Sequence, residues 1–184
     1  VTNRTPEYLG KFPLGKVPAF ESADGSFLLT EAQAIARYVA ESGPKAGQLL
    51  GEDAQTRALI EQWACFAEQE LTPNVVPIWL MCLLKAVPFT KEKYAEHEAA
   101  IERAVKRLEV AVRGGRKFLV GEQLTLADIM VVSVLQLAGR LIFDKEMRGQ
   151  APGVEAYLKG IMEAPEMKEA FPPLELCEAR VKGQ

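Results

Sequence analysis

Cysteine and histidine are scarce in this chain: its 184 residues hold three Cys and one His. Cys65, Cys82 and Cys177 have no metal-ligand spacing and make no even-numbered disulfide framework, and a lone His97 supplies no ligand pair. The sequence therefore predicts no metal site and a reduced, cytoplasmic setting. Positive charge is also in deficit, with 22 Lys and Arg against 25 Asp and Glu for a net charge of −3. That balance excludes a general nucleic-acid binder, which needs a basic excess to displace counterions from phosphates. No apolar run approaches the roughly 20 residues of a membrane span, and no charged segment followed by an apolar stretch opens the chain. The first residue is not Met, and the opening residues read as the interior of a domain rather than its start.

What is present is mostly helical pattern. Thr5-Pro6 reads as a cap followed by Pro at the first helical position, starting a short helix that stops before Pro13. Two strand-like pieces follow, residues 17–21 and 27–29, and Asp24-Gly25 between them is a hairpin signal. Thr30 and Gln33 have the spacing of a capping box, with Thr30 as cap and Gln33 at the third helical position. The helix they predict places Ala34, Ile35, Tyr38 and Val39 on one face and ends at Gly43-Pro44. Beyond Glu52 no strand pattern occurs. Helical period covers about 53–85, with a bend where Pro73 and Pro77 remove donors, then about 91–113, 126–143, 153–162 and 166–170. The expected division is a small α/β piece over 1–42, a linker over 43–51 and an all-helical part over 52–184.

The densest signal runs from Leu119 to Ile129. Gly121 permits a turn, and Thr125 with Asp128 has the S/T-x-x-D spacing of a capping box. The helix behind it carries Ile129, Met130, Val131, Val132, Val134, Leu135 and Leu137, apolar on most sides and hence central to a helical domain. Thr125 and Asp128 are therefore read as folding residues. Trp63, Phe66 and Trp79 lie at helical spacing as core or dimer-contact residues, and His97 is expected to be partly buried. Arg103, Lys106, Arg107, Arg113, Arg116 and Lys117 form a basic stretch interleaved with Glu102 and Glu109. It reads as a solvated helix face or a docking surface for an acidic partner.

Gly121-x-x-Leu124-Thr125-Leu126-Ala127-Asp128 resembles the C-terminal domain of the cytosolic glutathione transferase superfamily. Gly15-Lys16-Val17-Pro18 adds to it, because a Pro entering a strand is a candidate cis peptide, and this one resembles the cis-proline of thioredoxin-like folds. The resemblance implies an α+β chain: a partial thioredoxin-like domain, its first strand, helix and second strand absent from this sequence, followed by an all-helical C-terminal domain. It also implies that Val17 and Pro18 line a glutathione site, that Lys16 faces a glutathione carboxylate, and that Glu31 holds the γ-glutamyl end at a helix N-terminus. Ala32 stands where the superfamily usually has Ser, so one hydroxyl donor is missing. The superfamily activates its thiolate with a Tyr, Ser or Cys after the first strand, and nothing here matches by position. Tyr8 belongs to another helix, and Ser22 and Ser26 are turn residues. No catalytic residue is assigned.

Residues 2–9 and 11–21, with Phe118-Leu119-Val120-Gly121-Glu122 and Leu176-Cys177-Glu178, resemble the transferase-like region of the gamma-subunit branch, in eukaryotic translation elongation factor 1. Thr30-Glu31-Ala32 is nearer the fungal form. This resemblance implies a scaffold that anchors nucleotide-exchange subunits as a homodimer or hetero-oligomer, without cofactor, direct nucleic-acid contact or membrane span. The alternative it implies is a working transferase that conjugates glutathione, as substrate rather than mere ligand, to small electrophiles.

Overall fold

The computed structural model describes residues 2–183. A single turn at Thr2–Arg4 leads into α1, Pro6–Lys11, whose cap Thr5 accepts the Tyr8 amide at 3.3 Å through its hydroxyl. Strands β1, Ala19–Glu21, and β2, Leu28–Thr30, pair antiparallel with Ala19 opposite Thr30 and Glu21 opposite Leu28. Their connection is held by Asp24, which accepts the Ser22 hydroxyl at 2.6 Å, the Ser26 hydroxyl at 2.8 Å and the Ser26 amide at 3.1 Å.

These donors favour the ionised form and bring the Asp24 carboxyl down to about 2 from 3.8. A folded pKa below the unfolded one means that the contribution of Asp24 is present above about pH 4 and is lost as pH falls through about 2. Carboxyl NMR titration is expected to give a midpoint near 2 for Asp24, moving upward in Ser22→Ala. An Asp24 midpoint near the unfolded value would show that the turn is not held this way.

The capping box expected at Thr30 and Gln33 is not formed. Thr30 is claimed by the strand ladder, so α2, Ala32–Ser42, begins one residue later, after Glu31 at φ 72° and ψ 117° with no side-chain cap. The ladder wins because its pairing is fixed by both strands, whereas the cap needs Thr30 outside the sheet. Tyr38 of α2 packs on Phe20 and Phe27, ring centroids 5.3 and 5.0 Å away, and closes the helix over the hairpin. Val39, expected on the packed face, is exposed, and Ala40 is buried instead.

A short helix α3, Ala46–Leu50, precedes α4, Ala54–Phe66, which Asp53 caps by accepting the amides of Gln55 and Thr56 at 2.8 and 2.9 Å. The predicted bend at the prolines takes a specific form. Wider π turns at Ala67–Leu71 and Trp79–Leu83 flank α5, Thr72–Ile78, and carry the helical path past Pro73 and Pro77. A wider turn accommodates residues that lack an N–H and crowd the preceding carbonyls. Helices α6, Lys91–Ala111, and α7, Leu126–Leu141, then α8, Lys145–Gln150, α9, Pro152–Met162, and α10, Pro165–Ala170, complete the bundle. The six residues of α8 and the five of α3 are too short to show a period, which is why sequence pattern missed both.

The core is continuous from Ala40 and Leu50 through α4, α6, α7 and α9, with Val131, Val132 and Leu135 of α7 fully buried at its centre. Glu109 of α6 caps α9 across the bundle by accepting the amides of Gly153 and Val154 at 3.2 and 2.8 Å. The last segment returns over α7, where the amides of Cys177 and Val181 each donate at 2.7 Å to the carbonyls of Gly139 and Leu141. Gly139 is required by that approach: a Cβ there would lie 2.9 Å from Leu176 Cδ2 and 3.1 Å from the Glu175 carbonyl oxygen.

Candidate functional site

The Val17-Pro18 peptide is cis. The register that sets Ala19 opposite Thr30 puts Pro18 and Glu31 each one residue past the last ladder pair, where the two strands end. The hairpin thus gathers the residues read from sequence (Lys16, Val17, Pro18, Glu31 and Ala32) at its open end, next to the start of α2. Val17 is 69% exposed, and Lys16 and Glu31 are exposed, so the site is an open surface rather than a cavity.

Each part of this site has a local support. The Tyr8 hydroxyl donates to the Lys16 carbonyl at 2.7 Å, and the Asn3 amide donates to the Gly15 carbonyl at 2.7 Å. Gly15, at φ 59°, holds a conformation that strains a side chain, and a Cβ there would lie 3.0 Å from the Asn3 carbonyl oxygen. On the other side, Glu31 occupies a left-handed conformation that costs a non-glycine residue roughly 1–3 kcal/mol. Glu31 directly precedes α2, whose first amides have no side-chain cap and carry the positive end of the helix dipole.

The first turn of α2 is tied to the helical bundle. Glu61 of α4 accepts from Gln33 Nε2 at 2.5 Å and from Arg37 Nη1 at 2.9 Å, and Cys65 Sγ lies 3.6 Å from Gln33 Nε2. Gln33, expected as a capping residue, is therefore a tertiary tie. Neither this cluster nor the Tyr8 contact was legible in sequence, because each joins residues from separate elements. Chemically, the hairpin end offers a cation at Lys16, a carboxylate at Glu31, helix amides without a side-chain cap and exposed backbone at Val17 ahead of β1. That set suits the two charged ends and the extended backbone of a small peptide.

The remaining candidates lie elsewhere. Thr125 caps α7 and closes the box with Asp128, whose carboxylate accepts the Thr125 amide at 2.9 Å. His97 is half-buried with Nδ1 3.0 Å from Asn74 Oδ1. Trp63 is buried and Trp79 and Phe66 are half-buried, with the Trp63 and Phe66 rings edge-on at 5.3 Å. Among the described residues no cluster of three His, Cys, Asp or Glu side chains is placed to hold a metal ion, and no helix is long and apolar enough to cross a membrane.

Two family models match the chain. The glutathione S-transferase C-terminal domain matches residues 71–165, and the glutathione S-transferase N-terminal domain matches residues 1–41. The chain belongs to the glutathione S-transferase family. A glutathione S-transferase-like protein of a Fusarium species is 43% identical over 182 residues, which cover 98% of this chain and 81% of that protein. Human elongation factor 1-gamma is 33% identical over 177 residues, 96% of this chain but 39% of that protein. Among solved structures, the GST-like domain of elongation factor 1-gamma from Saccharomyces cerevisiae superposes with a TM-score of 0.82 at 25% identity, covering 97% of this chain and 82% of that one. This glutathione S-transferase family member thus has an N-terminal thioredoxin-like part, seen here as a two-stranded sheet and α2, and a helical C-terminal part.

Proposed function

We propose that this chain is a transferase-like scaffold that anchors nucleotide-exchange subunits of the translation elongation factor 1 complex in the cytoplasm, as a homodimer or within a hetero-oligomer. The observation that carries this reading is the fold correspondence with the yeast elongation factor 1-gamma domain over 97% of the chain. In this reading the helical bundle and its surfaces do the work. Lys16, the Val17 backbone, Pro18, Glu31 and the amide of Ala32 form a weak glutathione contact, short of the hydroxyl that a Ser after Glu31 would add.

A second reading, a transferase that conjugates glutathione to small electrophiles, is favoured by the 43% identity to the Fusarium protein and by the exposed Lys16 and Glu31 at the hairpin end. One pair of measurements separates the two. Calorimetry against a purified exchange subunit is expected to show binding, and glutathione turnover with an electrophilic aromatic substrate is expected to be absent. Efficient turnover with no heat of binding overturns the scaffold in favour of the enzyme.

A further inference from the structure

The helical path that passes Pro73 and Pro77 ends in an exposed apolar run. Leu83 and Leu84, at the close of the second π turn, are 50% and 51% exposed, and Val87 just beyond them is 39% exposed. The other large apolar side chains described as exposed lie within residues 14–39 or at Leu59 and Val110. The run is therefore a patch of its own, apart from the hairpin end and from the face of α4 and α6.

Its backbone is held at both ends. Lys85 takes a left-handed conformation at φ 52°, and the Ala86 amide donates back to the Leu80 carbonyl at 2.9 Å, which turns the chain out of the helix. Further on, the Phe89 ring lies with its centroid 5.8 Å from that of Tyr94, and Gly183 sits so close that a Cβ there would overlap the Phe89 ring. Between these points lies a hollow of about 340 Å³, lined by the buried Met81 and Cys82 and by Lys85, Val87, Pro88 and Phe89.

The charge beside the hollow runs against what the local structure favours. Lys85, Lys91 and Lys93 are exposed and make no ion pair among the described residues, and Glu92 is the only acid between Leu83 and Lys93. Lys91 and Lys93 stand in the first turn of α6, where the helix dipole disfavours cations. Lys93 also holds the third helical position behind the cap Thr90, whose hydroxyl accepts the Lys93 amide at 3.4 Å; an acid there would complete a capping box. Lys85 holds a conformation that glycine adopts more readily. No contact within the described fold offsets these three placements.

We propose that this patch docks an acidic segment of a protein partner, which inserts one aliphatic or aromatic side chain into the hollow while neighbouring carboxylates meet Lys85, Lys91 and Lys93. An apolar centre with charge at its rim is the anatomy of a protein interface, and cations without internal partners attract and orient carboxylates. A bilayer fits less well. The hollow admits a single protruding side chain, which a flat headgroup surface does not present, and the chain's net charge of −3 opposes approach to an anionic membrane. The inference deepens the scaffold reading and rests on it only for the identity of the partner.

The test is fluorescence anisotropy with a labelled dodecapeptide of Glu and Asp carrying central Leu residues, on the whole chain. Binding is expected to weaken with rising salt, and to weaken about tenfold or more in the double variant Lys91→Glu, Lys93→Glu. The same variant is expected to melt no lower than wild type, because acids suit the first turn of α6, so weaker binding cannot come from unfolding. Val87→Asp, which puts a like charge at the hollow, is expected to weaken binding as much, and replacing the peptide's Leu by Ser weakens it too. Lys106→Glu, further along α6, leaves it unchanged. Equal binding by wild type and double variant overturns the inference. So do vesicles of phosphatidylserine and phosphatidylcholine that bind the chain when the peptide does not, and a chain dimer that Val87→Asp dissociates with no peptide bound.

Measured against the exchange subunit, the double variant tells the two proposals apart. Loss of both peptide and exchange-subunit binding supports the patch as the surface of the scaffold. Exchange-subunit binding without peptide binding keeps the scaffold and overturns the patch. Peptide binding without exchange-subunit binding supports the patch and removes the scaffold.

Discussion

Asp128→Ala is expected to destabilise the chain by about 3–5 kcal/mol, the cost of stranding several buried donors at once. Asp128 is fully buried, and its carboxylate accepts the Leu119 amide at 2.8 Å, the Thr125 amide at 2.9 Å, the Thr125 hydroxyl at 3.1 Å and the Tyr157 hydroxyl at 2.9 Å. One side chain thereby joins the loop before α7, the cap of α7 and helix α9. Asp128→Asn does not rescue it. Each oxygen accepts two donors, so an amide group in place of either oxygen sets donor against donor.

Burial pushes the Asp128 carboxyl above its ordinary value of 3.8, against the pull of those donors. A folded pKa above the unfolded one means that stability from this group is greatest below the unfolded pKa. It declines as pH rises through the folded pKa, with no further slope above that. Thermal melting measures the main effect: an Asp128→Ala midpoint equal to that of wild type would remove the assignment. Thr125→Ala, which leaves the acid and most of its donors, is expected to cost less, roughly 0.5–2 kcal/mol.

Arg148→Met is expected to cost about 2–4 kcal/mol and to release the C-terminal segment from the bundle. Arg148 is 6% exposed, and its Nη1 donates at 2.7 Å to the carbonyls of both Phe143 and Cys177, while Nε lies 3.4 Å from Glu155. Met fills much of the same volume but donates nothing, which leaves those carbonyls without a partner. The measurement is hydrogen exchange at the Cys177 and Val181 amides, which donate to Gly139 and Leu141 of the α7 segment. Faster exchange there, beyond what the fall in global stability accounts for, is the expected result. Protection that drops only in step with global stability shows that Arg148 does not pin the segment. Arg180, held by Glu98 at 2.6 Å, Glu102 at 3.0 Å and Asp144 at 3.3 Å, gives the same segment a second anchor, so release in Arg148→Met is partial.

Family membership carries consequences for how the open site is read. The hairpin end of this glutathione S-transferase family member is built from backbone geometry, a cis Val17-Pro18 and a left-handed Glu31, rather than from deep burial. Geometry of this kind survives changes in side-chain chemistry, so a scaffold and an enzyme can share it.

Sequence by itself determined the features whose physics is complete within a few residues. Thr125 and Asp128 form their capping box because both partners lie on one helical turn. Asp24-Gly25 makes its turn because Gly25 accepts φ 72° and the serines on either side of Asp24 reach its carboxylate. The helices from 91 and 126 onward follow from apolar period over many residues. Only the tertiary structure decided the rest. Thr30 went to the β ladder because Ala19 pairs with it, Gln33 went to Glu61 because α2 lies against the bundle, and Glu109 capped α9 from another helix. It also drew Glu102 to Arg180 and Glu109 to the start of α9 rather than to the cations beside them in sequence. The physical reason is the same in each case: a side chain's partner is set by proximity in space, and spacing along the chain specifies that proximity only when both partners lie within one turn of one element.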